Sequence, residues 1–304
     1  MKINPNFSIE SCEANKIFLS DREACKGYYI HLNNNTVESL TENRIESLAA
    51  LGLYDNEAIY KKPHFINRII KFSNPISEKT LFTISILLML FGILGATLSI
   101  WNSWPMIEIN GIANFNVDGF VFIKSMLIFL MGIISVHEMA HVLSARLQNI
   151  EVFTISFKLK YYFIPIFYVK IVPTGNNLKR ANIAFAGNVA DSFLIIIYSS
   201  MFIVTGDLIW SIVLTLQIIM GVFNYNILFP TDFYIGFFSL IKKPDFRVQS
   251  INFTNHFFTR RSAFHKKIHL YYLIYGILFY GMFILFLVTT GLNITYWIIR
   301  GVNG

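Results

Sequence analysis

Charged side chains are scarce in this chain. Asp, Glu, Lys and Arg make up 14% of its 304 residues, against ~25% in ordinary soluble domains. Hydrophobic residues make up 54%, and 30 residues are phenylalanine. A soluble fold of this composition would lack the polar surface to cover its core. Cysteine is nearly absent too: Cys12 and Cys25 are the only two. Their spacing suits no metal motif, and the charge pattern described below places both in the reducing cytosol, so free thiols are expected. The opening stretch, MKINPNFSIESCEANK, has no apolar core followed by a small-residue cleavage site. No cleaved signal is expected, and the first apolar run would start membrane insertion. Internal repeats and low-complexity tracts are also missing.

What is present is apolar sequence in long blocks. Runs at 81–101, 119–141, 181–205, 208–229 and 270–290 are long enough to span, since a membrane-crossing helix needs ~20 residues. The stretch 232–241 either extends the fourth run or adds a sixth element. The last run continues to Ile299 as one tilted helix or as a helix with an interfacial tail. The expected fold is an α-helical polytopic membrane protein with about five to six transmembrane helices. Its expected parts are an N-terminal domain (1–79), a membrane core (80–240), and a basic loop with a final membrane helix (241–304).

Basic residues orient the chain. With the N-terminus inside, the segments 1–80, 142–180 and 241–268 hold ten, six and seven Lys or Arg, 23 of 25 in all. The intervening segments 102–118 and 206–207 hold none. This is the positive-inside pattern of a cell-membrane protein with a cytosolic N-terminus. It uses the net charge of +7 for topology, so no nucleic-acid partner is expected.

Two polar segments have patterns of their own. Residues 151–173, EVFTISFKLKYYFIPIFYVKIVP, are too charged to span and rich in β-branched and aromatic residues. They read as a cytosolic two-stranded hairpin. Its edge could take an extended peptide as a further strand, or the segment is a membrane-surface loop. Residues 28–57 read as an apolar run, an Asn turn and two short helices, with Ile45, Leu48 and Leu51 on one face and Gly52 as the stop. This pattern resembles a small winged-helix domain that binds leader peptides. A helical cap with no specific role explains it equally well.

The chemistry is concentrated in His137-Glu138-Met139-Ala140-His141. On a helix, positions i and i+4 share a face, so both imidazoles reach one metal ion. Glu138, beside the first ligand, can take a proton from water held by that ion. Ionisable groups inside a membrane are costly and mark function by default. Histidines merely hydrogen-bonded across a bundle would not require this spacing. A catalytic zinc takes a third protein ligand and keeps one position open. Asp232, in NYNILFPTDFY (224–234), matches His137 in depth when both spans are counted from outside, with Pro230 as the helix breaker.

An HExxH in one span followed by an Asn/Pro/Asp segment in a later one resembles the site-2 protease family of intramembrane zinc metalloproteases. More narrowly, the chain is similar to the bacterial peptide zinc metalloprotease branch, where N-x-N-P-x-x-x-T-D-G-Y is common. Asn224, Asn226, Thr231, Asp232 and Tyr234 match that pattern. YYFIPIFYV (161–169) and RANIAFAGNVAD (180–191) resemble further parts of the branch, and the likeness covers roughly residues 80–235. The resemblance implies a Zn2+ endopeptidase with His137, His141 and Asp232 as ligands and Glu138 as general base. It also implies a peptide or single-span membrane protein substrate, and a role in maturing or exporting a bacteriocin-like peptide. Asn224 and Asn226 would hold the substrate backbone, or would make interhelical hydrogen bonds.

The chain departs from the branch at Ile227 (usually Pro), Phe233 (usually Gly), Asn188 (usually Pro) and Asp191 (usually Asn). Phe233 is expected to crowd the backbone beside the metal. Asp191 reads as a neutral core acid, a substrate contact or a partner to Lys124. Two other readings of function stand beside the protease that matures peptides. One is an inactive membrane component that binds a precursor, transports it or confers immunity. The other is proteolysis of a membrane-bound regulator. A third kind of metalloprotease, completed by a glutamate from a later acidic helix, would have only Asp245 to draw on.

Overall fold

The computed structural model describes residues 4, 6–13, 16–21, 26–31, 64–110, 118–160, 164–259 and 270–302. They fall into two compact units, Met1–Tyr225 and Asn226–Gly304.

The first unit opens with an antiparallel sheet of β1 (Phe7–Glu13), β2 (Lys16–Asp21) and β3 (Lys26–His31) in the order β1-β2-β3. The apolar run beginning at Tyr28 is thus the end of a strand, while the two helices expected after it lie outside the described residues. The Glu10 carboxylate accepts from Thr174 Oγ1 (3.0 Å) and Gly175 N (2.8 Å), tying the sheet to the loop before a long membrane helix. After the short turn α1 (Ile66–Ile69), the chain forms α2 (Glu78–Asn110), α3 (Gly119–Gly132), a wide π-helical turn (Ile133–His137) and α4 (Glu138–Leu147). The expected hairpin comes next as β4 (Val152–Lys160) and β5 (Ile164–Ile171), antiparallel from Val152↔Ile171 to Lys160↔Ile164. Then come α5 (Asn177–Thr205) and α6 (Leu208–Asn224).

Local chemistry sets the helix ends. Asn176 Oδ1 accepts from the backbone N–H of Leu178 and Lys179, opening α5, and Gly206 ends it at φ +63°, which a side chain would resist. Asp207 then caps α6 through the N–H of Ile209.

Helix α5 is the hub of this unit. It packs on α2 through small residues: a Cβ on Gly92 would lie 2.8 Å from Ser192 Cβ, and one on Gly95 would lie 2.7 Å from Ile196 Cδ1. Ser199 Oγ donates across the same seam to Ser99 O at 2.9 Å. Without a hydrophobic force between helices in lipid, such close backbone approach is the main source of packing energy. Leu194, Ile195, Tyr198 and Phe202 of α5 meet Ala96 of α2 and Val213 and Leu214 of α6 in the core. Leu87, Leu90, Phe91 and Leu94 stay exposed on α2, an outer face suited to lipid.

The second unit holds α7 (Asp232–Leu240), α8 (Phe246–Thr259) and α9 (Leu270–Val302). Tyr234, Phe238, Phe246 and Tyr275 form its buried aromatic cluster. Gly276 lets α9 approach α8 so closely that a Cβ there would lie 2.0 Å from Thr254 Oγ1.

Among the described residues, four helices are long and apolar enough to cross a membrane: Glu78–Trp104, Gly119–Leu147, Asn177–Thr205 and Leu270–Thr289. The fourth expected span is corrected: α6 is apolar but has only 17 residues and stops at Asn224. The stretch 232–240 does not extend it, being a helix in its own right. The final run, by contrast, is a single helix through Val302.

Candidate metal centre

Helix α4 begins at Glu138, directly after the π-helical turn that ends on His137. A π-helical turn holds one residue more than an α-turn, so it rotates α4 relative to α3. Gly132 lies just before it, where an added Cβ would be 2.0 Å from Tyr198 Oη of α5. The second span therefore runs tight against α5 at the point where it widens to deliver the motif.

His137 and His141 are both buried, with rings edge to face and centroids 5.0 Å apart. The hydrogen bonds behind each ring decide its tautomer. His141 Nδ1 lies 2.7 Å from the carbonyl oxygen of Ile183, which can only accept, so Nδ1 carries the proton. His137 Nδ1 lies 3.0 Å from the Asp191 carboxylate and donates to it. In the neutral rings both Nε2 atoms then carry lone pairs, and these two atoms face each other at 3.3 Å. Two lone pairs at that range repel unless a cation lies between them. Two nitrogens bound to one tetrahedral zinc at 2.0–2.1 Å stand about 3.3–3.4 Å apart. The donor set and its spacing fit such an ion.

Asp232 was the expected third ligand. His137, His141 and Asp232 form a group that could bind a metal ion. Asp232 is half-buried and is the first residue of α7, whose N-cap Thr231 accepts from Tyr234 N. Pro230 is not the residue that ends the preceding helix. Six residues separate Asn224 from Thr231 here, and Asn226 shapes that break: its Oδ1 accepts from Leu228 N and its carbonyl accepts from Thr231 Oγ1. Glu138 is half-buried at the start of α4.

The remaining site residues have defined surroundings. Asn224 Nδ2 donates to Asp191 at 2.6 Å, and its backbone carbonyl accepts from Asn188 Nδ2 at 3.4 Å. Asn224 thus makes interhelical hydrogen bonds, and the side chain of Asn226 builds a turn. Phe233 stacks on Phe237 along its own helix, with centroids 6.3 Å apart, and Ile227 packs on the aromatic cluster of the second unit. Asp191 is not a partner to Lys124, which is exposed with its ammonium over the Phe120 ring.

Gln217 was missed. It is fully buried on α6 and donates to Asp191 at 3.0 Å. Its signal in sequence was a lone amide inside LIWSIVLTLQIIMGVFN, a polar group that a lipid-facing helix would not keep. The Ile183 carbonyl leaves no sequence signal, because any residue supplies one.

Compared with known proteins, the chain matches no family model, no curated sequence and no solved structure.

Proposed function

We propose that this protein is a membrane-embedded zinc endopeptidase of the site-2 protease type. The observation that carries the reading is the pair of Nε2 atoms that face each other at 3.3 Å, while each Nδ1 is hydrogen-bonded behind its ring to Asp191 or to the Ile183 carbonyl. In this reading His137, His141 and Asp232 hold the zinc. The ion would supply a Lewis acid that polarises the scissile carbonyl and makes water acidic near neutral pH. Glu138, adjacent to a ligand and on the same helix, accepts the proton of the attacking water and returns it to the leaving amine. The substrate is a small precursor peptide or a single-span membrane protein, cut near the cytosolic face. Peptide maturation or export of the bacteriocin-like kind is the role that the motif's likeness supports. The positive-inside charge pattern supports a cytosolic N-terminus, where a leader peptide would meet the N-terminal domain.

Metal content of the purified full-length protein tests this. One zinc per chain is expected in the wild type, retained in Glu138→Gln and lost or strongly weakened in His141→Ala and Asp232→Ala. Glu138→Gln should lose all detectable hydrolysis of a precursor peptide. A wild type that binds no zinc would remove the enzymatic reading in favour of an inactive precursor-binding component. Zinc held undiminished by Asp232→Ala would give the third position to another residue.

A further inference from the structure

We propose that Asp191 is a positioning residue for the metal: its carboxylate, fixed by Gln217 and Asn224, holds His137 as a ligand and strengthens it. This rests on the zinc reading above. Asp191 lies in the middle of α5, 1% exposed, where a charge is expensive. Three donors from two segments, the π-helical turn and α6, converge on it. Oδ1 accepts from His137 Nδ1 and Gln217 Nε2, each at 3.0 Å, and Oδ2 accepts from Asn224 Nδ2 at 2.6 Å.

The orientation of the amides shows what this cluster is for. Gln217 turns its NH2 towards Asp191 and leaves its own buried Oε1 without a hydrogen-bond partner among the described residues. An acceptor at position 191 accounts for that sacrifice. With both amides donating, the position accepts, and an ionised carboxylate there takes His137 Nδ1 as its third donor. The His137 tautomer is then settled from behind, with Nε2 left for the ion. A carboxylate behind a metal-binding imidazole also makes it a more basic ligand, and losing such a partner typically costs about 10–100-fold in metal affinity.

The two histidines are therefore unequal. His141 is backed by a main-chain carbonyl that no substitution removes, whereas His137 is backed by a charge. Asn224 and Gln217 act one step further out, as guy-lines from α6 that stop the Asp191 carboxylate from rotating away.

The test uses purified full-length protein with two readouts besides activity: zinc affinity by competition with a chromogenic chelator, and the visible spectrum of the cobalt(II)-loaded protein. Asp191→Asn keeps the size and lets Asn224 flip to restore its bond, so it isolates the charge. The expected result is zinc binding about 10–100-fold weaker and a shifted cobalt spectrum, with the metal-free melting temperature unchanged. Asn224→Ala and Gln217→Ala, which each cut one guy-line, should weaken zinc about tenfold or less. They carry the test alone if Asp191→Asn fails to fold. Unchanged affinity and spectrum in the variants that fold would overturn the proposal while leaving the zinc site standing. A wild type that binds no zinc would overturn both.

Discussion

Among the described residues of the first unit, two charged side chains are buried, and they are satisfied in opposite ways. Arg146, near the end of α4, gives its guanidinium to main-chain carbonyls: Nε to Ile70 (2.9 Å), Nη1 to Ile150 (3.1 Å) and Nη2 to Asn67 (3.4 Å). Asp191 draws on side chains alone. A carbonyl is present whatever residue bears it, so the Arg146 clamp asks little of the sequence. The Asp191 cluster asks for a particular side chain at each of positions 137, 217 and 224, all in apolar surroundings. Packing alone does not justify that, since replacing buried polar groups together by apolar ones is often neutral or stabilising. The first network closes a structure; the second, on the proposed reading, serves a ligand.

Replacing the Asp191 acceptor together with its two amide donors, as Asp191→Leu with Gln217→Leu and Asn224→Leu, should therefore separate fold from function. The metal-free protein is expected to melt at or above the wild-type temperature while zinc affinity falls by about 100-fold. Chelator competition and thermal unfolding monitored by circular dichroism would check the two halves. A triple variant that unfolds would make the cluster structural and erase the contrast. Arg146→Met should do the reverse. Three carbonyls lose a donor, and leaving buried acceptors unmet costs about 1–3 kcal/mol each at most. Stability should fall by about 3 kcal/mol, with zinc affinity of the folded fraction unchanged.

The contrast also explains what the sequence made legible. HExxH was legible because helical periodicity alone puts His137 and His141 on one face, and the hairpin because β-branched and aromatic residues fill Val152–Lys160 and Ile164–Ile171. Four of the expected spans follow from length and apolarity. The break after Asn224 was misread because the apolar run continues through Ile227, Leu228 and Phe229. What stops the helix there is turn chemistry, with the Asn226 side chain competing for a backbone N–H. The role of Asp191 was hidden for a different reason. Its partners lie 54, 26 and 33 residues away, so only the packing of α5 on its neighbours could pair them. The π-helical turn before His137 likewise has no local signature and arises at the close passage by Gly132. The N-terminal sheet escaped because the apolar pattern becomes clear only from Tyr28 onward, inside the last strand.

The smallest effect should come from the outer ring of the Arg146 side. Gln148, 3% exposed, donates to Ser144 O at 3.0 Å and accepts from Asn182 Nδ2 at 3.1 Å. Asn182 also reaches Glu78 O at 2.9 Å, so α2, α4 and α5 are pinned at one level. Gln148→Ala removes one strand of that knot, but Asn182 keeps its bond to the Glu78 carbonyl. An ordinary hydrogen bond is worth about 1 kcal/mol net, so losing both of these should cost about 2 kcal/mol in chemical denaturation. Zinc affinity should not move. If Gln148→Ala weakened zinc as much as Asn224→Ala does, the knot at the helix ends and the cluster behind His137 would be one coupled network. Polar satisfaction would then no longer distinguish the closing of this fold from the tuning of its metal.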